Sequence, residues 1–369
     1  MTKTWQERLR AGLKGLYFPV AAILAAVVLS SIVMAILGFD PLYAYQCLLK
    51  GAFGNTNSIG ETLVKTTPLI FAAVAFALPM RCGIFNLGAT GQLYIGAILG
   101  SLVGVRFAGM PAVLHIPLML LAGFAGGALY GVFAGWLRHR FGANELISTI
   151  MLNHVAIQLL AYCVAGPLKD PATAATSTPQ SAQMVASVKL PVILPGTRLH
   201  AGLILAVLCL VFYYVFLWKT TRGYEMRVVG LNPGAGEYAG MSVRKNQLLA
   251  MLLAGGIAGI GGCVELMSVQ SRLIQQFAGN IGFDGVAVAL LGGNSPVGIA
   301  LAGILFGALS AGAGRMQMLA KVPNATVYIT QGLIILFVVG RELFRIRSRR
   351  KNKPSSRTAG PRSMEKEAV

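Results

Sequence analysis

The chain has 369 residues and a formal net charge of +19, and 55% of its residues are hydrophobic whereas only 12% are charged. Soluble domains carry about 25% charged residues, so a chain this apolar lacks the polar surface that a water-exposed protein needs. The composition excludes an ordinary soluble protein and predicts an integral membrane protein.

Uncharged apolar stretches divide the chain into about ten candidate membrane-spanning helices. A span needs about 20 residues, and the first stretch meets this length. It is longer than the apolar core of a typical signal peptide and no clear cleavage site follows it, so we expect it to remain as the first helix. The predicted spans are 18–38, 58–80, 83–105, 111–137, 146–166, 201–218, 247–267, 281–293, 297–314 and 328–340.

One of these stretches, 281–293, is too short for an upright span. Its rise is only about 20 Å, whereas the hydrocarbon core of a bilayer is about 30 Å thick. Short or broken helices persist at membrane depth only where protein or a water-filled cavity shields their ends. The predicted fold class is therefore an all-α integral membrane protein, a polytopic helical bundle of about ten spans with one of them short or broken.

Basic residues concentrate at the two ends of the chain and in one internal loop. The positive-inside rule therefore places both termini in the cytoplasm, an arrangement that ten spans satisfy and that eight spans would satisfy equally. The juxtamembrane position of these runs favours solvated segments or attraction to acidic lipid headgroups over nucleic-acid binding. The predicted organisation is a cytoplasmic segment at 1–17, a membrane domain at 18–340 with an external loop at 167–200 and a cytoplasmic loop at 219–246, and a disordered basic tail at 341–369.

Glycine recurs at every fourth position in several predicted spans. This spacing places the glycines on one helix face, where the missing side chains let two helix backbones approach closely. Such a face serves either packing within one subunit or an interface or sliding surface between subunits, and the sequence leaves both open. The two longest rows are Gly96, Gly100 and Gly104, and Gly123, Gly127, Gly131 and Gly135.

The sequence contains no catalytic or metal-binding motif. No GxSxG, HExxH or CxxC pattern and no GxxxxGK[ST] phosphate loop occur, and no span carries paired carboxylates at helical spacing. The five cysteines are scattered, and the four histidines lack the spacing of metal ligands. We therefore expect neither catalytic residues nor a metal site on this chain.

A few polar residues interrupt the apolar stretches. Asn86, Gln92 and Asn153 are uncharged hydrogen-bonding groups that suit either a neutral polar solute, such as a sugar ring or nucleoside, or contacts between helices. Glu265 and Asp284 are acids near the ends of two spans. Acids buried in a membrane are costly and often functional, although both positions also fit the membrane interface.

The cytoplasmic loop contains the signals of a short helix. Asn232 followed by Pro233 is a helix start, with asparagine as N-cap and proline at the first helical position. Gly240 stands where a glycine ends a helix. About two turns of helix outside the membrane are marginal alone, and they suit either a docking element for another protein or an ordinary connector.

Three blocks of sequence resemble the permease subunits of bacterial ABC importers. The first is RCGIFNLGATGQLYIGA from Arg81, similar to an R-x-G-x-x-N-x-G-x-x-G-Q pattern, and the second is GANELISTIMLNHVA from Gly142. The third is GYEMRVVGLNPGAGEYAGM from Gly223, followed by GFDGVAVALLGGNSPVGIALAGILFGAL from Gly282. Their order and spacing resemble the ribose and branched-chain amino-acid permease superfamily, within it the branch for nucleosides or simple sugars.

This resemblance implies a function and a set of partners. The chain would form a translocation pathway for a nucleoside or simple sugar across the bacterial inner membrane, together with a second permease subunit in a hetero- or homodimer. Two ATPase subunits would bind ATP and magnesium on their own chains, and an extracytoplasmic binding protein would deliver the solute. The permease itself would be no enzyme and would hold no cofactor.

The resemblance also implies roles for particular residues. The short cytoplasmic helix corresponds to the coupling helix that enters a groove on the ATPase. Blocks one and two and the region 280–284 correspond to pathway neighbours. The coupling-helix candidates are Asn232, Pro233, Ala235, Glu237, Tyr238, Ala239 and Gly240, and the pathway candidates are Asn86, Gln92, Asn153, Asn280 and Asp284.

Two positions depart from the family pattern. Gly236 stands where this branch usually has alanine, which weakens the short helix by up to about 1 kcal/mol, so that docking would have to supply its order. Ala89 and Thr90 stand where an acidic residue often precedes the glycine, so no role for that acid carries over.

Two other classes of function compete with the importer. An ion-coupled secondary transporter acting without an ATPase would need a carboxylate deep in the bilayer, and neither Glu265 nor Asp284 is clearly deep. A membrane-embedded enzyme would need a catalytic constellation, and the sequence shows none. Both alternatives are therefore disfavoured.

Overall fold

The computed structural model describes residues 5–107, 109–171 and 179–337, with side chains from residue 21 onward. Within these ranges the chain is helical and forms no β-strand. Only three isolated β-bridges occur there, namely Lys169–Ser181, Gln180–Ile274 and Val192–His200. The predicted tail at 341–369 lies outside the described residues. The helices are α1 (Trp5–Ile36), α2 (Pro41–Phe53), α3 (Thr56–Met80), α4 (Ala89–Arg106), α5 (Ala112–Phe141), α6 (Glu145–Ala165), α7 (Gly202–Lys219), α8 (Thr221–Leu231), α9 (Pro233–Tyr238), α10 (Val243–Glu265), α11 (Ile281–Leu291), α12 (Pro296–Ala320) and α13 (Ala325–Phe337).

The all-α membrane fold predicted from composition is confirmed. In the described part of the chain, six helices are long and apolar enough to cross a membrane, namely α3, α5, α6, α7, α10 with the π-helical turn Leu266–Gln270 that follows it, and α12. Shorter apolar helices occur at Ala21–Ile36 within α1, at α11 and at α13. The short stretch after residue 280 is thus a helix of only 11 residues.

The largest differences from the predicted elements concern four helices. Helix α1 begins at Trp5, well before residue 18, because the polar residues before the apolar stretch are mostly good helix formers. Helix α4 begins at Ala89 rather than residue 83, because residues 83–88 are irregular. Helices α2 and α8 were not predicted, although Asp40 caps α2 by accepting from the Leu42 amide at 2.9 Å.

Helices α3 and α10 form the centre of the bundle. In an apolar stretch of 18 residues in α3, 83% of the stretch is buried inside the protein, and in α10 the corresponding share is 72%. In α5 and α6 it is only 33% and 28%. Helix α4 packs against α5, α10 and α6 and has an almost continuous buried face. Several polar side chains on these central helices are accordingly buried inside the protein, namely Thr66, Thr67 and Gln247.

Glycine-to-glycine contacts join α5 to α10. A Cβ atom at Gly127 would overlap the carbonyl oxygen of Gly255, and one at Gly259 would overlap that of Gly123. A Cβ at Gly96 on α4 would collide with the backbone of Gly259. Missing side chains thus permit direct backbone contact, and both helix partners belong to this chain, which favours packing within one subunit.

Two prolines interrupt the hydrogen-bond ladder of α3. A proline has no N–H, so Pro68 leaves the Val64 carbonyl without its usual partner and Pro79 does the same to Ala75. The Asn86 side-chain amide donates to the Ala75 oxygen at 3.1 Å. No side chain among the described residues donates to the Val64 oxygen.

The loop between α6 and α7 lies against the end of α10. The Met184 amide donates to the Ser271 oxygen at 2.9 Å, just after the π-helical turn. Arg198 also forms two 2.6 Å hydrogen bonds with the carboxylate of Glu61 near the start of α3. These contacts hold the loop beside the cavity described next.

Candidate functional site

A polar cavity of about 380 Å³ lies among five parts of the chain. Its walls come from α3, the end of α10 with its π-helical turn, the segment leading into α11 together with the first turn of that helix, α12, and the start of α13. The cavity lies beside the N-terminus of the short helix α11. Protein and cavity therefore shield this helix end, as is needed for a helix too short to cross a membrane. The polar lining residues are Lys65, Glu265, Gln270, Gln276, Asn280, Asp284, Ser310, Asn324 and Tyr328.

The charged residues of this lining come from three helices. Glu265, the last residue of α10, is only 7% exposed, and its carboxylate accepts a 3.5 Å hydrogen bond from Gln270. Asp284 lies in the first turn of α11, where the helix dipole favours a negative charge. Lys65 on α3 brings a positive charge to the same space. Lys65 lies within the predicted span 58–80, where a charged residue often marks a functional site, but it was not among the predicted site residues.

Helix α3 forms one wall of the cavity. Val64, Lys65 and Pro68 all line it. A helix carbonyl points along the axis towards the residue four positions later, which for Val64 is the proline. The interrupted turn of α3 therefore lies level with the cavity.

The five predicted pathway residues fall into two groups. Asn280 and Asp284 line the cavity at the start of α11. Asn86, Gln92 and Asn153 are 3% exposed or less and lie instead around the irregular segment before α4. The structure therefore brings only the first pair to the cavity.

The hydrogen bonds of the second group are directed at protein. The side-chain amides of Asn86 and Gln92 pair with each other at 3.0 and 3.2 Å. Asn153 on α6 accepts from the Gly91 amide at 2.7 Å and donates to the Leu87 oxygen at 2.8 Å. This arrangement favours the interpretation that they hold the start of α4 in place.

The turn after α3 is fixed by Arg81. Its guanidinium donates to the Gly293 and Asn294 oxygens at 3.2 and 2.8 Å and lies 5.6 Å from the ring centre of Trp218. Burial raises the pKa of the neighbouring Cys82 thiol to about 12, so this side chain is an uncharged packing group. Arg81 thus joins the α3–α4 turn to the α11–α12 turn.

The short helix predicted at 232–240 is confirmed as α9. The Asn232 side chain accepts from the Ala235 amide at 3.2 Å, and Pro233 occupies the first helical position. At the other end Gly240 has a φ of +79°, and the Met241 amide donates to the Gly236 oxygen at 2.9 Å. This is the Schellman arrangement that ends a helix at a glycine.

Helix α9 is almost entirely exposed. Gly236 alone in it is buried, against Val229 of α8, and an added Cβ there would lie 3.2 Å from a valine methyl. Tyr238 is 98% exposed and Leu231, just before the helix, is 89% exposed. Two large apolar side chains on and beside α9 are thus left uncovered by the rest of the chain.

A metal centre finds no support in the described part of the chain. No three His, Cys, Asp or Glu residues come together there as ligands would. The fold and these two features define a multi-pass membrane protein with a polar cavity among its helices and a short, exposed helix outside the bundle.

Comparisons with known proteins give the family. Residues 58–339 match the family described as branched-chain amino acid transport system / permease component. The chain is 39% identical over 327 residues to the guanosine ABC transporter permease protein NupP of Bacillus subtilis (strain 168), covering 88% of this chain and 93% of NupP. No solved structure matches.

Two further relatives are similarly close. The nucleoside ABC transporter permease protein NupB of Lactococcus lactis subsp. cremoris (strain MG1363) is 36% identical, with 87% of this chain and 89% of NupB covered. The glucose ABC transporter permease protein TsgB13 of Haloferax volcanii is 37% identical, with 89% and 88% covered.

The chain belongs to the permease family of the branched-chain amino acid transport systems. It is a membrane-spanning permease subunit of an ABC transporter and no enzyme, and the ATPase is a separate subunit. Membership also implies a solute-binding partner. The resemblance seen in the three sequence blocks is confirmed.

Proposed function

We propose that this permease carries a nucleoside or a simple sugar into the cell and that the polar cavity is part of its path. The observation that supports this most is the identity of 36–39% over most of the chain to permeases named for guanosine, nucleosides and glucose. These solutes share hydroxyl and N–H groups that need hydrogen-bonding partners in a path through the membrane.

The cavity lining fits such a solute. Amide side chains at Gln276 and Asn280 and carboxylates at Glu265 and Asp284 offer acceptors to the hydroxyl and N–H donors of the solute. Its volume falls within the range of about 300–1,000 Å³ that is usual for small-molecule sites. Asn280 and Asp284 are the pathway residues we assign first.

We further propose the topology and location of the chain. Adding α1, α4, α11 and α13 to the six long apolar helices makes ten spans, with both termini in the cytoplasm of a bacterium and the bundle in its inner membrane. The excess of basic residues at the chain ends and between α7 and α10 supports this orientation. It places α9 on the cytoplasmic side, where an ATPase is accessible.

The assembly we propose has two permease subunits, two ATPase subunits and one solute-binding protein. The second permease is either another copy of this chain or a related one. ATP and magnesium bind on the ATPase chains, and α9 is the helix that docks on one of them. The exposed Tyr238 and Leu231 support this docking role.

Reconstitution into liposomes tests the proposed function. We expect no uptake of labelled guanosine, uridine or glucose by this chain alone, and ATP-dependent uptake of at least one of them with its ATPase, second permease and binding protein. Omitting ATP should abolish that uptake. Uptake by the chain alone under a proton or sodium gradient would instead support a secondary transporter.

Substitutions at the cavity should separate pathway residues from packing residues. We expect Asp284→Asn and Asn280→Ala to raise the KM for uptake about tenfold, or about 1.4 kcal/mol, while the complex keeps its thermal stability. Asn280→Ala removes a solute hydrogen bond, and Asp284→Asn replaces a charge-assisted bond by a weaker neutral one. Gln92→Leu is the control, because it breaks the buried pair with Asn86. It should lower the amount of folded complex and leave the KM of the remainder unchanged. An unaltered KM in both cavity variants would contradict the assignment.

A further inference from the structure

We propose that Arg81 is a positioning residue that transmits movement of the docking helix α9 to the cavity end of α11. The inference rests on the proposed function, because it assumes that α9 docks on the ATPase and that Asn280 and Asp284 line the solute path. It is carried by an uninterrupted series of contacts from α9 through α8 and the α3–α4 turn to α11.

The first contact joins α9 to α8. Gly236 is the buried residue of α9 and packs on Val229, in the last turn of α8. The Asn232 amide donates to the Val228 oxygen at 3.0 Å and the Asn232 carbonyl accepts from the Gly236 amide at 3.1 Å, so this one residue joins α8 to α9. A displacement of α9 by a bound partner therefore displaces the last turn of α8.

The second contact joins α8 to the turn that carries Arg81. A Cβ atom at Gly230 would overlap the Arg81 carbonyl oxygen, so the two backbones touch. Gly83, with a φ of +76°, turns the chain back against the same residue, and a Cβ there would lie 3.4 Å from the Gly230 Cα. Backbone contact of this kind cannot yield through side-chain rotation, so displacement of α8 moves the turn.

The third contact joins Arg81 to the end of α11. Its guanidinium donates to the Gly293 and Asn294 oxygens immediately after this helix. Carbonyls at a helix C-terminus carry partial negative charge, which strengthens bonds from a cation. The Tyr213 hydroxyl donates to the same Asn294 oxygen at 2.9 Å, and Trp218 lies below the guanidinium.

Helix α11 carries the displacement to the cavity. It is a helix of 11 residues and is about 16 Å long. Arg81 holds one end, and Asn280 and Asp284 line the cavity at the other. A shift at the Arg81 end therefore reaches the proposed solute contacts with little loss.

Arg227 offers a matched control. Its guanidinium lies 6.0 Å from the ring centre of the same Trp218, on the cytoplasmic helix α8. Among the described residues it makes no hydrogen bond to the α11–α12 turn. Arg227→Gln thus removes the same charge from the same ring and leaves the contact series intact.

The test measures solute molecules imported per ATP hydrolysed by the complete transporter in liposomes. We expect Arg81→Gln to lower this ratio about tenfold, with ATP hydrolysis in the absence of binding protein within about twofold of wild type. Arg81→Lys should recover part of the ratio, because an ammonium still donates to the turn. Arg227→Gln should leave the ratio unchanged. A purely structural role predicts that both rates fall in proportion, which would overturn the inference.

If the Arg81→Gln complex does not assemble, Arg81→Lys is the deciding variant. A solute-to-ATP ratio equal to wild type in both Arg81→Lys and Arg227→Gln would then overturn the inference. If the wild-type complex shows no ATP-dependent uptake, the proposed function itself fails, whereas a normal wild type beside an unchanged Arg81→Gln ratio defeats only the role of Arg81.

Discussion

Replacing Tyr238 with aspartate should abolish solute uptake without preventing insertion of the chain into the membrane. The ring is 98% exposed at the end of α9, so its loss removes nothing from the folded bundle. An aspartate there places a negative charge at a helix C-terminus and in the proposed contact with the ATPase, where loss of one central aromatic anchor costs about 2–4 kcal/mol of binding. Uptake, membrane-fraction blots and ATPase co-purification measure the three effects.

The neighbouring position gives an independent variant. Ala239→Arg introduces a bulky side chain at the exposed C-cap of α9 and should also abolish uptake while the chain still inserts. Tyr238→Phe is the control, since it keeps the aromatic ring and loses only the hydroxyl, and it should retain most of the uptake. Normal transport by both Tyr238→Asp and Ala239→Arg would remove α9 as the docking helix.

Replacing Gly127 with leucine should destabilise the whole bundle. The Cβ alone would overlap the Gly255 carbonyl, so α5 and α10 must separate to accommodate the side chain. Overpacking costs about 1–3 kcal/mol where side chains can adjust, and two rigid backbones place this site at or above the upper end. We expect a marked fall in the melting temperature of the detergent-solubilised protein and in its yield.

The chain supplies a matched control for this substitution. Gly332 lies in α13 and is exposed, and a Cβ there would have no neighbour within 4 Å. Gly332→Leu should therefore leave the melting temperature close to wild type. If Gly127→Leu melts like Gly332→Leu, the close approach of α5 and α10 is not required for stability.

Some elements could be predicted from the sequence because their causes are local. Length and apolarity predict the long spans, and the Asn232–Pro233 start with Gly240 at the end predicts α9 to within a residue. Helix α2 carried an equally local signal in Asp40–Pro41. Helix α2 was nevertheless not predicted, because its 13 residues are too few to form a membrane span.

The cavity could not be predicted because its causes are distant along the chain. Its lining brings Val64 and Asp284 together with Tyr328, and no spacing rule links such positions. The same holds for Asn86, whose nature suits a solute and whose actual partners are Gln92 and a carbonyl freed by Pro79. Sequence reasoning identified the polar residues and left their partners open.

The two prolines of α3 give this central helix an uneven stiffness. At Pro79 the missing bond is replaced, since Asn86 bridges from the start of α4 to the Ala75 oxygen and braces the helix there. At Pro68 no side chain of the described residues supplies a brace. Helices bend where a backbone bond is missing, so α3 can bend level with the cavity, whereas Asn86 braces it near the Arg81 turn. A single helix thus combines a braced end with a bendable segment beside the cavity.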